Sequence, residues 1–138
     1  MSYKIVSKFI KDLSFEISDA KSYFLLEKNI QNYRIKIDVT SKNISENVLE
    51  IDTKLYFDPK QETKDNTFNI SIVFSTLINL EKKYDKQELE KIVVIEVPSA
   101  VYPDIKTIIS TLFKNSGFKE FSLPEMNFED LYKNKKRN

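Results

Sequence analysis

The stretch FIKDLSFEIS, Phe9 to Ser18, decides how the chain folds, because it sets two acids, Asp12 and Glu16, four residues apart among apolar neighbours. They could be a catalytic carboxylate pair, one face of a helix, or the exposed side of a strand. From Tyr3 to Ile17 the odd positions Tyr3, Ile5, Phe9, Leu13, Phe15 and Ile17 are apolar, while Lys4, Lys8, Asp12, Ser14 and Glu16 occupy even ones. A period of two belongs to a strand with one buried face, and it puts Asp12 and Glu16 together on the other, wet face. Residues there sit in water, without the apolar pocket and surrounding cleft that a general-acid pair needs. The pair is therefore read as surface and not as catalytic.

The same alternation recurs in YRIKIDV, LEIDTKLYF and FNISIVF. These place Tyr33, Ile35, Ile37 and Val39, then Leu49, Ile51, Leu55 and Phe57, then Phe68, Ile70, Ile72 and Phe74 on the buried side. The polar stretches SKNISEN and DPKQETKDN read as hairpin loops. One-sided alternation argues for an antiparallel sheet with one wet face. On that face the alternation sets Lys4, Lys8, Arg34, Lys36 and Lys54 against Asp12, Glu16, Asp38, Glu50 and Asp52.

The connection from Asp19 to Asn32 is longer than a turn and carries Tyr23, Phe24, Leu25 and Leu26 in a row. Such a segment either packs over the core or frames a binding groove. KKYDKQELEK reads as a turn-like stretch and IVVIEV, Ile92 to Val97, as a brief extended run. YPDIKTIISTLFKNSG reads as a helix with Pro103 in its first turn and an apolar stripe of Ile105, Ile108, Ile109, Leu112 and Phe113. A shorter helix is expected from Asn127, with Glu129 and Asp130 in its first turn and Phe128, Leu131 and Tyr132 on its inner side. The expected architecture is an α+β domain over 1–138: a four-stranded antiparallel sheet followed by a long and a short helix.

Composition removes several function classes. The chain has no cysteine and no histidine, so disulfides, thiol chemistry and the usual zinc sites are excluded, as is the common general base near neutral pH. A single glycine, Gly117, cannot build a P-loop or a dinucleotide fingerprint. With 22 basic against 21 acidic residues there is no overall field that calls for nucleic acid. The seventeen tyrosines and phenylalanines fall mainly on the buried faces of strands, where packing accounts for them better than base stacking does. No apolar run reaches membrane length and MSYKIVSK lacks a signal-like core, so a cytoplasmic protein without cofactor, metal or membrane insertion is expected.

Two stretches resemble a known family. FIKDLSFEISDA is similar to the opening strand of SecB, the bacterial protein-export chaperone. VPSAVYPDIKTIISTLFKNSGFKEFSLPEMNFEDLY resembles that family's helical C-terminal third, with Pro98, Tyr102, Pro103, Gly117, Phe118, Asn127, Phe128, Leu131 and Tyr132 in matching positions. The resemblance implies the same sheet-then-helices fold, assembly as a homotetramer (a dimer of dimers), and binding of unfolded precursor polypeptides that are passed to the translocation motor SecA, without nucleotide, metal or catalysis. Asp12 and Glu16 then match acids that receive the basic tail of SecA. The family's further acid in the fourth strand is Ser71 here. That departure admits an alternative, a SecB-like chaperone dedicated to one client, such as a toxin–antitoxin component, with no link to SecA.

Client contact is expected at Tyr23, Phe24, Leu25, Leu26, Phe128, Leu131 and Tyr132, the apolar residues that the sheet and long helix do not require for their own packing. Ile105, Ile108, Ile109 and Leu112 on the long helix are expected in the core or at an oligomer interface. The basic close of the chain, KNKKRN from Lys133, reads as a solvated tail.

Overall fold

The computed structural model describes residues 2–30, 33–59, 68–118 and 121–137. Strand β1 (Tyr3–Ile17) is followed by helix α1 (Ala20–Asn29), then strands β2 (Tyr33–Ser45), β3 (Val48–Pro59) and β4 (Phe68–Leu80). Helix α2 (Lys86–Lys91), a π-helical turn (Ile92–Glu96), helix α3 (Val97–Asn115) and helix α4 (Phe128–Arg137) complete the chain. The strands form one antiparallel sheet in the order β1-β4-β3-β2, with β1 and β2 at its edges. The helices cover one side of it, here called the inner face. Most of the DPKQETKDN loop lies outside the described residues. SKNISEN is mainly strand, with β2 running on to Ser45 and the turn confined to Glu46 and Asn47.

The extended run expected at IVVIEV is helical instead. Asp85 caps α2, its Oδ1 accepting from the Glu88 amide at 2.8 Å, and from Lys86 to Asn115 the chain is helical without a break. A β-branched run has weak helix propensity, yet tertiary burial outweighs it here. In the wider π turn, residues four and five apart share a side, so Val93 and Val97 align with Ile92, and all three are buried in one cluster with Ile51 and Ile78 of the sheet. The row then continues through Val101, Ile105, Ile109 and Phe113, each fully buried. Pro103 accordingly lies inside α3 and not in a first turn. The second helix begins where the sequence places it, the Asn127 side chain accepting from the Asp130 amide at 3.0 Å.

Strand β1 departs from simple alternation. Its register against β4 slips between Ile5 and Ser7 and again between Ile10 and Asp12, leaving Val6 and Lys11 as extra residues in two bulges. Directly opposed residues share a face, so Ile5, Lys8, Ile10, Leu13, Phe15 and Ile17 point inward with Ile78, Thr76, Phe74, Ile72, Ile70 and Phe68. Phe9, opposite Ser75, points outward, and Lys8 leaves the outer face to pair with Asp104 of α3 at 3.1 Å. The expected positions of these two residues are therefore exchanged. A bulge inverts the alternation on everything beyond it.

The core gathers on Phe113, whose ring centroid lies 5.1 Å from Phe15, 5.5 Å from Phe57, 5.1 Å from Phe118 and 4.2 Å from Phe121. Replacing it with alanine empties the junction of α3, the sheet, Phe118 and Phe121. Phe113→Ala is expected to cost about 3–5 kcal/mol, measured as the shift in urea midpoint with unchanged slope.

Candidate functional site

Helix α1 divides its four adjacent apolar residues around its circumference. Asp19 caps it, its Oδ1 accepting from the Ser22 amide at 2.8 Å, and hydrogen bonds from the Ser22 hydroxyl and then that amide hold the Asp19 carboxyl below the usual carboxylate range. Successive residues then turn by about 100°. Leu26 is buried in the core, Tyr23 is half-buried, and Phe24 and Leu25 face solvent at 58% and 38% exposure. Tyr23 packs edge-on against Phe118 at 5.1 Å and donates from its hydroxyl to Glu27 at 3.0 Å. Its oxygen lies where a Cβ on Gly117 would be 2.7 Å away, and Gly117 has φ +93°, so only glycine fits at this end of α3.

Helix α4 is divided in the same way. Phe128 is buried against the Tyr102 ring at 5.7 Å, Tyr132 is half-buried and Leu131 is 37% exposed. The Tyr102 hydroxyl donates to the Pro124 carbonyl at 2.6 Å, which straps the segment before α4 onto α3. Burial, helped by Glu125, pushes that hydroxyl up to about 12. Between β2, α2 and α4 lies an apolar depression of about 320 Å³, lined by Ile37, Val39, Val94, Leu131 and Tyr132 with Glu90 and Lys135 at its rim. Of the seven expected client contacts, then, Leu26 and Phe128 belong to the protomer core. Phe24, Leu25 and Leu131 stand on the surface, and Tyr23 and Tyr132 lie between.

On α3, Ile105 and Ile109 face the sheet with no exposed surface, while Ile108 and Leu112 are half-buried beside them. A larger uncovered apolar surface runs along β1, which has one unpaired edge. Its inner face leaves Ile5, Ile10 and Leu13 at 40%, 45% and 38% exposure, and its outer face leaves Val6 and Phe9 at 62% and 41%. Strict alternation does not account for this surface. The signal was present in the adjacent apolar pairs Ile5-Val6 and Phe9-Ile10, which no half-buried strand of strict period two contains.

Asp12 and Glu16 share the outer face, opposite Val73 and Asn69, and both are exposed. Neither makes an ion pair with the described residues. Their immediate neighbour Lys11, displaced by the bulge, turns away from them across β4. Its ammonium donates to Glu50 Oε2 at 2.7 Å and Asp52 Oδ2 at 2.8 Å, and the buried Ser75 hydroxyl donates to Asp52 Oδ1 at 2.5 Å. The carboxylates of Asp52 and then Glu50 hold the Lys11 ammonium well above its ordinary value. Burial pushes the Asp52 carboxyl up, but the bonds from Lys11 and Ser75 outweigh it and hold the carboxyl below its usual range. Toward β2 the charges are also paired, Arg34 and Lys36 with Asp58 at 3.5 and 3.7 Å, and Lys54 lies over the Tyr56 ring at 5.2 Å. The mixed outer face is thus segregated, with its unpaired acids on the β1 side.

The model of the family described as preprotein translocase subunit SecB matches residues 1–138. The chain belongs to the SecB family. It is 32% identical over 134 residues to a SecB-type protein of Pelagibacter ubique, covering 96% of this chain and 95% of that one. It is 28% identical over 130 residues to the protein-export protein SecB of Bradyrhizobium diazoefficiens, covering 94% and 79%. Its fold is similar to that of the SecB-like chaperone Rv1957 of Mycobacterium tuberculosis, solved with a ChAD peptide from the antitoxin HigA1, with a TM-score of 0.68, 10% identity and coverage of 91% and 88%. Membership assigns the chain to an export-chaperone family. Among the described residues there is no cluster of acids that could hold a metal ion, and no helix long and apolar enough to cross a membrane.

The Lys11 cluster makes stability depend on pH in a stated direction. Asp52 has a depressed value in the folded protein, so its stabilisation is present above the unfolded carboxylate value and disappears as pH falls through the folded one. Lys11→Met is expected to lower the urea midpoint near pH 7 and to cost less at an acid pH below the folded Asp52 value, where that carboxyl is protonated in either state. Equal destabilisation at the two pH values would show that Lys11 acts through packing and not through its charge.

Proposed function

We propose that this SecB-family chain is a cytoplasmic holdase that binds unfolded precursor polypeptides and delivers them to SecA. The observation that carries the reading is the apolar surface left on two flanking helices. Phe24, Leu25 and Leu131 are exposed on α1 and α4, with Tyr23 and Tyr132 beside them and the apolar depression adjoining α4. Unfolded chains offer no fixed sequence, and exposed apolar side chains beside an unpaired strand edge suit such a ligand. Leu26 and Phe128 serve this surface from below, anchoring each helix so that its neighbours face outward.

The assembly proposed is a homotetramer, a dimer of dimers. It is supported by the open edge of β1 with Ile5, Ile10 and Leu13 beside it, and by the half-buried Ile108 and Leu112 on α3. An uncovered edge of this kind is a liability in a lone protomer. SecA docking is placed on Asp12 and Glu16, whose unpaired charges add on-rate and orientation toward a basic partner. A second reading, a chaperone for a single client without SecA, is favoured by Ser71 standing where the family carries another acid.

Light scattering with a urea-unfolded precursor diluted into native buffer tests the reading. A tetramer-sized particle is expected to take up the unfolded chain and to ignore its folded form. Phe24→Ser with Leu25→Ser is expected to weaken uptake about tenfold, in line with about 1.4 kcal/mol lost from two partly exposed side chains. Asp12→Lys with Glu16→Lys is expected to abolish SecA binding and spare client uptake. A particle indifferent to unfolded chains would end the holdase reading, and uptake without SecA binding by the native protein would favour the single-client one.

A further inference from the structure

The oligomer proposed above leaves one part of the β1 surface unexplained. A second copy meeting the edge and inner face of β1 would cover Ile5, Ile10 and Leu13. Val6 and Phe9 project from the opposite face of the sheet, at 62% and 41% exposure. Edge-to-edge pairing extends a sheet sideways and leaves its faces as they were. Phe9 lies opposite Ser75 on β4, and the next residues of β4 on that face are Val73 and Leu77, both partly exposed. The result is an apolar lane beside Asp12, which is itself directly opposite Val73.

The lane exists because of the bulges. Without the slip at Lys11, Phe9 would point into the core side and Lys8 would stand in its place, next to the acids. With it, an aromatic ring borders Asp12, and Lys11, the residue before it, is held on Glu50 and Asp52 at 2.7 and 2.8 Å. Among the described residues neither Asp12 nor Glu16 makes an ion pair, although Lys54 lines the same depression as Asp12, two strands away and over the Tyr56 ring.

We propose that the outer face along β1 takes a basic polypeptide segment that also carries an apolar side chain, with Asp12 and Glu16 holding its cations and Phe9 and Val6 receiving its apolar group. The proposal rests on the docking role of the two acids and adds a requirement on the partner. Charge alone is not sufficient, and lysines without a neighbouring apolar residue bind this face less well. The complementarity is mixed, with apolar area giving residence time and the acids giving steering that salt weakens.

Fluorescence anisotropy on the full chain tests it with two labelled lysine-rich peptides, identical except that one leucine in the first is serine in the second. Phe9→Ser is expected to weaken the leucine peptide about fivefold and to leave the serine peptide unchanged. Asp12→Asn with Glu16→Gln is expected to weaken both and to flatten their salt dependence. If circular dichroism shows Phe9→Ser to be misfolded, Val6→Ser makes the same test from a more exposed position. Equal binding of the two peptides by the native protein, or a Phe9→Ser effect shared by both, overturns the proposal and leaves acid docking standing. Insensitivity of both peptides to the acid substitutions overturns the docking reading itself. A Phe9→Ser protein with unchanged peptide binding but a smaller particle in light scattering assigns the lane to a second copy and overturns the proposal.

Discussion

One constraint organises this molecule: its helical layer is narrower than its sheet. A helix with side chains is about 10–12 Å wide and strands lie about 4.8 Å apart, so a single helix covers roughly two strands. The long helical segment lays its buried row from Ile92 to Phe113 on the inner face, against Ile51, Leu55, Phe57 and Ile78 among others. Helix α4 adds cover on the β2 side and α1 packs against the Phe113 end. Tyr3 is buried against the Ile92–Val97 end of that segment, but β1 from Ile5 to Leu13 receives little such cover, and the exposed Ile5, Ile10 and Leu13 follow from that shortage. The uncovered surface is therefore a consequence of the architecture.

The flanking helices owe their exposed apolar surface to the same packing. Each is short, and each is pinned by one core residue, Leu26 in α1 and Phe128 in α4. A helix anchored by one buried side chain necessarily turns its adjacent apolar residues toward solvent. Tyr23 resting on Gly117 and Phe118, and the Tyr102 hydroxyl tied to the Pro124 carbonyl, set where those surfaces stand relative to α3. Packing and exposed apolar surface are thus two sides of the same helices, and within the Tyr23–Leu26 segment Leu26 packs in the core while Phe24 and Leu25 face solvent.

The outer face shows how a local irregularity redistributes charge. The balance of acids and bases counted by alternation left no preferred side. The bulge at Lys11 removes Lys8 from the face, adds Lys11, and commits Lys11 to Glu50 and Asp52 on a strand two places away. Arg34 and Lys36 are committed to Asp58. Among the described residues Asp12 and Glu16 make no ion pair and are now bordered by Phe9, while Lys54 on β3 is held over the Tyr56 ring. An exposed ion pair contributes little to stability, so the consequence of this pairing lies in which charges are left for a partner.

The sequence by itself determined the sheet, the capped start of α4, the exposed placement of Asp12 and Glu16 and the family resemblance, because periodicity, capping and motif spacing are local properties written in neighbouring residues. It misread Ile92–Val97, since β-branched residues favour strand locally and only burial against the sheet makes a π turn and helix the better state. It also could not place Phe9 and Lys8, because a bulge is settled by pairing with β4, far along the chain, and each slip reverses the faces of all that lies beyond it. Which of Tyr23, Phe24, Leu25 and Leu26 is buried was likewise decided by tertiary contact with Gly117, Phe118 and the core. Local chemistry names the elements. The faces they present depend on the elements packed against them, and those contacts form only in the folded chain.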